Sequence, residues 1–474
     1  MRTTISNSQN NRALDSSSFV SINPVDGEVI QAFEALTGVE IAAKLQASTS
    51  AYHDWKNQSL AIRQACILQF ASRLVLQQEE LAQLITLEMG KPIAQSLAEV
   101  KKCIWLCEYY AEAAPNLLEP EVIETAAQKS YLRYEPIGAI LGIMPWNFPC
   151  WQALRFAIPA LLAGNVVLLK PAPNVALTSI ALATIFKEII PKQAIFQCLL
   201  AEVEDIPAII KHDLVQGIAL TGSDVAGAKV AQIAGAAIKK CVLELGGSDP
   251  FIVLADADLA LAAKLAAKSR MNNCGQSCIS AKRIIVEQAV LDQFLPLFKA
   301  ALLALKIGDP LDSTTQISTM ARADLRDNLN AQFEDAVAKG AKVYLAGGPR
   351  TGKGYYFDPI ILTEVQPSMR AYHEELFGPI AVVFGVADEA AAIRLANDTK
   401  YGLGAAVWSK DIAKAERLAS QLSVGAVAIN NLLRSDPRMP FGGIKQSGFG
   451  RELGMEGIRE FVNIKSVAIY KLAK

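Results

Sequence analysis

The sequence has few of the residues and motifs that mark several common classes of protein. Its 474 residues include only three histidines, and its eight cysteines are scattered, with no CxxC pair suited to zinc. Cysteines this sparse exclude a disulfide scaffold and favour a reducing cytoplasm. Lys and Arg (46) balance Asp and Glu (47), and no basic aromatic cluster occurs. We therefore expect no metal site and no nucleic-acid partner.

Long uninterrupted apolar runs are also missing. The most apolar region, residues 137–169, is interrupted by Pro145, Asn147, Pro149, Arg155, Pro159, Gly164 and Asn165. Such interruptions indicate buried core rather than a membrane span, so no membrane association is expected. Residues 1–18 are polar and lack the apolar run of a secretory signal, which predicts a flexible tail and no export.

Short apolar runs alternate with helical stretches along most of the chain. Residues 45–110 have helical periodicity with one break at Gly90-Lys91-Pro92, and from residue 137 runs such as VVLLK and KCVLELGG alternate with helices. A second series of this kind follows Gly247. Apolar runs without polar alternation predict parallel strands covered on both faces, hence an α/β fold with two Rossmann-like parallel-sheet domains. The alternating segments YLRY and VAIYK predict exposed strands outside those sheets.

Phosphate-binding motifs are scarce. No GxGxxG occurs, and GGPRTGKG (347–354) imitates a P-loop but has Gly354 where a Ser or Thr belongs, so it is interpreted as a turn. In ALTGSDVAGAKV a strand ends, Gly222 and Ser223 turn, and a helix begins. Free backbone N–H groups there would face an anion, although an ordinary strand-to-helix turn is the alternative.

The stretch MNNCGQSC contains two thiols, Cys274 and Cys278. A cysteine nucleophile needs a route to the thiolate, because a free thiol is only slightly ionised at neutral pH. His53, His212 and His373 lie in contexts typical of exposed helix or loop. The missing histidine partner disfavours a cysteine hydrolase, and the base must be another residue.

Two other residues supply what such a nucleophile needs. Glu244 is near the end of the apolar run KCVLELGG, where burial would raise the pKa of its carboxyl. Asn147, in IMPWNFP, follows a predicted strand and offers an amide to a developing oxyanion. A core cysteine, a strand-end carboxylate and a loop asparagine each have a plain explanation, but together they form a coherent acyl-transfer site.

Seven motifs, in one order, resemble those of the aldehyde dehydrogenase superfamily: MPWNFP, LLKPAPN, LTGS, ELGGSDP, GQSC, EELFGP and PFGGIKQSGFGRE. Within it the chain is most similar to the bacterial succinate-semialdehyde dehydrogenases. The resemblance implies NAD- or NADP-dependent oxidation of an aldehyde to an acid, with succinate semialdehyde as the expected substrate. It implies a cofactor domain (19–120 and 139–245), a catalytic domain (246–455) and an oligomerisation element (121–138 and 456–474), in a homodimer or homotetramer.

The resemblance also assigns catalytic roles. It makes Cys278, which follows Gly275-Gln276, the nucleophile that forms a thiohemiacetal and then a thioester. Asn147 would hold the oxyanion together with the Cys278 backbone N–H, and Glu244 would activate the hydrolytic water. The presence of Glu244 argues against the CoA-acylating relatives, which do not need this base.

Cofactor contacts follow from the same motifs. Lys170 is expected at the adenosine ribose and Glu375 at the nicotinamide ribose. Strictly NAD-dependent relatives tend to have a Glu three residues after that lysine, and its replacement by Pro173 removes a repulsion toward a 2′-phosphate, which predicts use of NADP. The full set expected around the dinucleotide is Met144, Pro145, Trp146, Asn147, Lys170, Pro171, Ala172, Pro173, Gly222, Ser223, Leu245, Glu375 and Phe377.

Substrate contacts are expected from Arg155, eight residues after Asn147, where the succinate-semialdehyde enzymes bind the distal carboxylate. The alternative is a surface or interdomain ion pair of Arg155. Asn272 stands where those enzymes often have a second arginine, which points to a wider substrate range. Trp151 and Ser435 are further expected contacts, with Arg434 and Arg438 nearby.

Some alternatives stay open at the level of sequence. Cys274 is interpreted as an apolar filler, with a reversible disulfide to Cys278 as a second hypothesis. The enzyme could act on another semialdehyde or on a broad range of aldehydes. A protein of another class, a catalytically silent binding or structural protein with this fold, is disfavoured by the intact Cys278, Glu244 and Asn147.

Overall fold

The structure is a computed structural model that describes residues 19–471. The flexible tail predicted for residues 1–18 lies outside the described residues. Within residues 19–471, no helix combines the length and the apolar character needed to cross a membrane.

The first half of the described chain begins with a small hairpin and four helices and then alternates strands with helices. Its elements are β1 (Phe19–Ile22), β2 (Val29–Phe33), α1 (Gly38–Trp55), α2 (Leu60–Leu76), α3 (Gln78–Met89), α4 (Ile93–Leu117), β3 (Glu121–Val122), β4 (Lys129–Pro136), β5 (Ala139–Met144), α5 (Pro149–Leu162), β6 (Val166–Pro171), α6 (Ala176–Ile189), β7 (Phe196–Cys198), α7 (Ile206–Lys211), β8 (Val215–Thr221), α8 (Asp224–Ala236) and β9 (Lys240–Glu244).

The predicted break between helices is present. Helix α3 ends at Met89, and Gly90 follows in the left-handed region at φ 74°. Glycine suits this position because it has no Cβ to clash there. Pro92 then precedes α4 as its N-cap, a position where the missing N–H of a proline costs no hydrogen bond within the helix.

The first large sheet contains strands β5 to β9 of this half. Its order is β9-β8-β5-β6-β7, all parallel, and a short strand from far along the chain, β19 (Gly448–Phe449), adds to β9 in the antiparallel sense. Every residue of β6 is buried. This matches the unbroken apolar run VVLLK, because a strand covered on both faces has no polar side to present. Helices α2, α4 and α5 pack on one another beside this sheet.

The second half repeats the pattern. Its elements are β10 (Pro250–Val253), α9 (Leu259–Met271), β11 (Arg283–Glu287), α10 (Gln288–Leu303), α11 (Ala323–Ala338), β12 (Lys342–Leu345), β13 (Gly348–Pro349), β14 (Phe357–Asp358), β15 (Ile360–Thr363), α12 (Arg370–His373), β16 (Ile380–Val386), α13 (Glu389–Asn397), β17 (Gly404–Trp408), α14 (Ile412–Ala419), β18 (Ala426–Ile429), β19, α15 (Gly454–Glu460) and β20 (Val462–Ile469).

The second large sheet has the order β12-β15-β16-β11-β10-β17-β18, parallel except for β12. A separate hydrophobic core surrounds each sheet. The predicted α/β fold with two parallel-sheet layers is confirmed.

A third, antiparallel sheet joins distant parts of the chain. Strand β20 pairs with β4 from Val462 opposite Pro136 to Ile469 opposite Lys129, and β3 flanks β4 on the other side. Most residues of β20 are exposed, in agreement with the exposed strand predicted from VAIYK, whereas YLRY lies in β4 and is mostly half-buried. The residue boundaries predicted for the domains stay a prediction.

The first sheet places the ends of four strands at one edge. Met144, the last residue of β5, pairs with Pro171 of β6, and Thr221 of β8 pairs with Glu244 of β9. Parallel strands finish at the same edge, and ligands of open α/β sheets bind outside that edge. The segments that hold Asn147, Lys170, Gly222 and Glu244 are therefore neighbours.

Candidate active site

A strained turn presents the nucleophile segment. After helix α9, three consecutive residues adopt left-handed backbone conformations: Asn273 at φ 54°, Cys274 at φ 53° and Gly275 at φ 75°. Asparagine tolerates this region better than most residues, whereas cysteine does not. A Cβ on Gly275 would lie 2.4 Å from the Gly378 carbonyl oxygen, so only glycine fits there. This turn leads into Cys278, which is partly exposed.

Asn147 is anchored to that turn. Its side-chain Nδ2 donates to the carbonyl oxygen of Gln276 at 3.1 Å, and Asn273 Nδ2 donates to the main-chain oxygen of Asn147 at 2.8 Å. The residue is only 4% exposed. An amide has two N–H groups, so the second remains for a ligand near the Cys278 segment.

Glu244 is a buried carboxyl that no hydrogen bond stabilises among the described residues. It is the last residue of β9 and 2% exposed, and within residues 19–471 neither of its oxygens has a hydrogen-bond partner. Burial raises the pKa of this carboxyl well above its usual range, with Arg155 acting in the opposite direction. A buried, unpaired carboxylate is unfavourable, and such groups are frequently functional.

The thiol of Cys278 is surrounded by charge of both signs. Burial raises the pKa of this thiol to about 12; the cations Lys282 and Arg155 lower it, and the carboxylates Glu375 and Glu244 raise it. Lys282 fixes the segment, because its Nζ donates to the Cys278 carbonyl oxygen at 2.7 Å and pairs with Glu375 at 2.9 Å.

The three predicted catalytic residues come together. A Cβ on Gly247, three residues after Glu244, would lie 2.7 Å from the Cys278 carbonyl oxygen. The Glu244 segment therefore packs directly on the Cys278 segment, to which Asn147 is already hydrogen-bonded. The arrangement supports acyl-transfer chemistry, and the individual roles stay predictions.

A cavity of about 730 Å³ opens in front of Cys278. Its walls come from α4, α5, the α9 terminus and the segment 432–436. The predicted substrate residues Trp151, Arg155 and Ser435 line it together with Cys278, and so do Asn272 and Arg434. Arg438 does not line it. Asn147 and Glu244 are also absent from this lining.

Arg155 has the ion pair that the sequence left as its alternative role. Its guanidinium pairs with the buried Glu452, lies 4.9 Å from the centre of the Phe441 ring, and is 2% exposed. Burial raises the pKa of Glu452, and Arg155 opposes that shift. Arg155 thus borders the cavity while much of its charge is compensated, and its role toward substrate stays a prediction.

The residues assigned to the dinucleotide fit such a ligand. Lys170, on β6, is 8% exposed and has no ion-pair partner within the described range. Desolvation lowers the pKa of its ammonium. Ser223 caps α8 by accepting from the Ala226 N–H, and a Cβ on Gly222 would meet only Leu220, so the space before this helix is open. A free cation and an open helix N-terminus suit a phosphate-containing ligand.

The remaining cofactor residues lie on the same side. Trp146 and Phe377 meet edge to face with ring centres 5.8 Å apart. Glu375 accepts from the Gly247 N–H at 3.2 Å, and a Cβ on Gly246 would lie 2.6 Å from its other oxygen. The others lie at or just after the ends of strands β5, β6 and β9: Met144, Pro145, Asn147, Pro171, Ala172, Pro173 and Leu245.

Cys274 belongs to the second core. It is 1% exposed, its Sγ donates to the Ser318 carbonyl oxygen at 3.4 Å, and burial raises the pKa of its thiol to about 12. These contacts agree with an apolar filler. The disulfide with Cys278 stays a hypothesis.

Several site residues escaped the reasoning from sequence. Asn273 holds Asn147, Lys282 holds Cys278, and Glu452 pairs with Arg155. Lys102 of α4 also lines the cavity. The asparagine before a glycine-containing turn was the one local signal available, because asparagine favours left-handed conformations. No local pattern predicts that Lys282 pairs with Glu375 or that Glu452, the last residue of the motif PFGGIKQSGFGRE, pairs with Arg155.

Comparisons of sequence agree with this geometry. A model of the aldehyde dehydrogenase family matches residues 12–467. A probable NADP+-dependent succinate-semialdehyde dehydrogenase of Synechocystis is 46% identical over 449 residues, which cover 95% of this chain and 99% of that protein. The NAD(P)+-dependent succinate semialdehyde dehydrogenase Sad of Escherichia coli is 44% identical over 448 residues, with coverages of 94% and 97%.

Comparisons of structure also find aldehyde dehydrogenases. The succinic semialdehyde dehydrogenase of Streptococcus pyogenes, in complex with NADP+, superimposes with a TM-score of 0.93 at 32% identity, over 96% of this chain and 100% of that chain. The betaine aldehyde dehydrogenase of Staphylococcus aureus, in complex with NAD+, gives 0.92 at 31% identity, over 96% and 92%.

Proposed function

This chain belongs to the aldehyde dehydrogenase family, and we propose that it oxidises succinate semialdehyde to succinate with NAD or NADP. The predicted family, and with it an enzyme that oxidises aldehydes with a nicotinamide cofactor, is confirmed by the relatives. One observation supports the proposal most: Cys278 lines a cavity bordered by cationic side chains, and the segments that hold Glu244 and Asn147 contact the segment that holds Cys278.

The first step is attack by the Cys278 thiolate on the aldehyde carbon. Lys282 and Arg155 favour the charged sulfur, since both lower the pKa of this thiol. The aldehyde oxygen becomes an oxyanion, and the free N–H of the Asn147 amide is placed to donate to it. Because Gln276 fixes the amide, it is already oriented when the negative charge develops.

The last step is hydrolysis of the acyl group on Cys278, and Glu244 supplies the base. Its carboxyl is desolvated and has no hydrogen-bond partner among residues 19–471, so its pKa is raised and the carboxylate is a stronger base toward water. Arg155 lies close enough to oppose this shift.

Lys170, Gly222 and Ser223 would hold the adenosine half of the dinucleotide, and Glu375 with Phe377 the nicotinamide half. When bound, the nicotinamide accepts a hydride from the aldehyde carbon. Pro173 is exposed and places no carboxylate beside Lys170, which supports acceptance of NADP as well as NAD.

The substrate occupies the cavity with its aldehyde toward Cys278. Trp151 gives an apolar wall, and Ser435 and Arg155 offer hydrogen-bond donors to a distal carboxylate. With Asn272 at the α9 terminus instead of a second arginine, we expect longer semialdehydes to be accepted too.

The assembly that we propose is a homodimer or homotetramer in the cytoplasm. Strand β20 is an edge of the three-stranded sheet, and Ile464, Ile469 and Tyr470 are exposed along and after it. An unpaired edge with exposed apolar residues is suited to pairing with another subunit.

An aldehyde panel tests this function. The purified protein is assayed with succinate semialdehyde, glutarate semialdehyde, butanal and benzaldehyde, each with saturating NAD and with saturating NADP. We expect kcat/KM for succinate semialdehyde to exceed that for butanal by about tenfold or more, as one charge-assisted contact allows. We expect measurable turnover with both cofactors. Equal rates for butanal and succinate semialdehyde would contradict the substrate, and no turnover with NADP would contradict the role given to Pro173.

A further inference from the structure

The acidic side chains that line the Cys278 cavity are already engaged. Glu99 pairs with Lys91 and accepts from the backbone N–H groups of Cys150 and Trp151. Asp436 accepts from Arg438 in a bidentate pair. Neither carboxylate is therefore committed to a cation of the cavity wall.

Four cationic side chains border the same space, and they differ in what compensates them. Arg155 has Glu452 as its partner. Lys268 and Arg434 are exposed, so water screens their charge. Lys102 is half-buried and makes no salt bridge with any residue between 19 and 471. Among these four it is the cation that has neither a salt-bridge partner nor full solvation.

The contacts of Lys102 leave its charge available. Its Nζ donates to Ser435 Oγ at 2.6 Å and lies 4.0 Å from the centre of the Trp151 ring. Desolvation lowers the pKa of this ammonium to about 8, and Arg155 adds to the effect, while Asp436 and Glu99, which make no salt bridge with it, act in the opposite direction. An ammonium has three N–H donors, and Ser435 takes one. The other donors can bind a further acceptor, and a carboxylate would supply both this acceptor and a directly paired negative charge.

Lys102 also lies at a suitable distance from the nucleophile. Gln95, on the first turn of the same helix α4, accepts from the backbone N–H of Asn273 in the turn before Cys278, and Gln95 and Lys102 both line the cavity. Seven residues make two turns, so they share a face of the helix and are on the order of 10 Å apart along its axis. A four-carbon substrate plus one ion-pair contact spans a similar distance.

We propose that Lys102, together with the hydroxyl of Ser435, binds the distal carboxylate of the semialdehyde and is the main determinant of specificity for it. The proposal rests on the proposed function and assigns the contact differently from the sequence, which pointed to Arg155. A substrate carboxylate at Arg155 would have to compete with Glu452, whereas at Lys102 it displaces no anion. The Trp151 ring closes the other side of the ammonium and holds it in place.

The test compares Lys102→Met, which keeps the length of the side chain, with the wild type on succinate semialdehyde and on butanal. We expect kcat/KM for succinate semialdehyde to fall about tenfold to hundredfold, mainly through KM, and kcat/KM for butanal to change less than about threefold. Lys102→Arg should recover part of the loss. Lys101→Met, at the exposed neighbouring position on α4, is the matched control and should change kcat/KM for neither substrate.

A binding measurement makes the result independent of turnover. Succinate, which has the carboxylate but no aldehyde, is titrated calorimetrically into both proteins, and we expect its affinity to fall by a similar factor in Lys102→Met. If the wild type prefers succinate semialdehyde and Lys102→Met keeps that preference, Lys102 is not the determinant and the proposed function stands. If the wild type shows no preference for succinate semialdehyde, both the proposed function and the role of Lys102 are overturned. Equal losses on both aldehydes would show a structural role and would likewise overturn the proposal.

Discussion

Asn273 donates through its side-chain Nδ2 to the main-chain oxygen of Asn147 at 2.8 Å, although 126 residues separate the two in sequence. This bond links the strained turn before Cys278 to the loop after β5, which carries the expected oxyanion donor. The Asn273 backbone is itself held in place, because its N–H donates to Gln95 of α4 at 2.8 Å. One buried asparagine thus sets the relative position of nucleophile and oxyanion donor.

Replacing Asn273 by glycine should impair catalysis without disturbing the backbone. Glycine tolerates the left-handed conformation at φ 54°, so the change removes the amide and little else. We expect kcat to fall about tenfold, as loss of one positioning hydrogen bond at an oxyanion site does, while KM changes less than about threefold. Steady-state kinetics and a thermal melt measure both effects.

Asn273→Ala is the companion variant. It loses the same amide but also places a Cβ at a positive φ, so it should show the same kcat defect plus a lower melting temperature. An Asn273→Gly protein with wild-type kcat would show that the bond to Asn147 has no positioning role.

Substitution of Cys278 and substitution of Cys274 should have clearly different effects on activity. Cys278→Ala removes the thiol at the cavity, and we expect aldehyde-dependent reduction of NAD or NADP to fall below about a thousandth of the wild-type rate, since removal of a nucleophile leaves only binding. The melting temperature should change little because Cys278 is partly exposed.

Cys274→Ala is the matched control four residues away. It should keep most activity and lose about 1 kcal/mol of stability through reduced packing in the second core. Activity retained by Cys278→Ala but lost in Cys274→Ala would reverse the assignment of the nucleophile.

Activity should rise with pH. Burial raises the pKa of Cys278 to about 12 and raises that of Glu244 well above its usual range. Both groups react in the deprotonated form, and a raised pKa moves that form to higher pH, so each gains reactivity as protons are removed. We expect kcat/KM to increase about tenfold or more between roughly pH 6 and pH 9.

Alkylation measures the ionisation of the Cys278 thiol separately from that of Glu244. The rate at which iodoacetamide inactivates the protein reports the Cys278 thiolate alone, and it should rise over the same interval. Kinetics and inactivation rates that both stay flat across this range would show that neither group titrates as the burial requires.

Local patterns in the sequence were sufficient to predict the larger features of the fold. Unbroken apolar runs such as VVLLK became buried parallel strands, because a strand covered on both faces excludes polar residues wherever it occurs. The break at Gly90 and Pro92 needed only the conformational limits of those two residues. Cys278, Glu244 and Asn147 stood out because their neighbours along the chain, glycines, prolines and strand ends, are themselves local signals.

Only the tertiary structure decided which charges are compensated. Arg155 looked like the free cation of a substrate site, yet its partner Glu452 lies almost 300 residues further along the chain. Nothing in the sequence distinguishes Lys102 from the other charged residues of α4. Its neighbours in space, Trp151 and Ser435, come from distant segments of the chain. The amino-acid sequence by itself determines propensity, periodicity and the chemical groups available. The free energy of a buried charge depends on what surrounds it in space, and folding alone sets those surroundings.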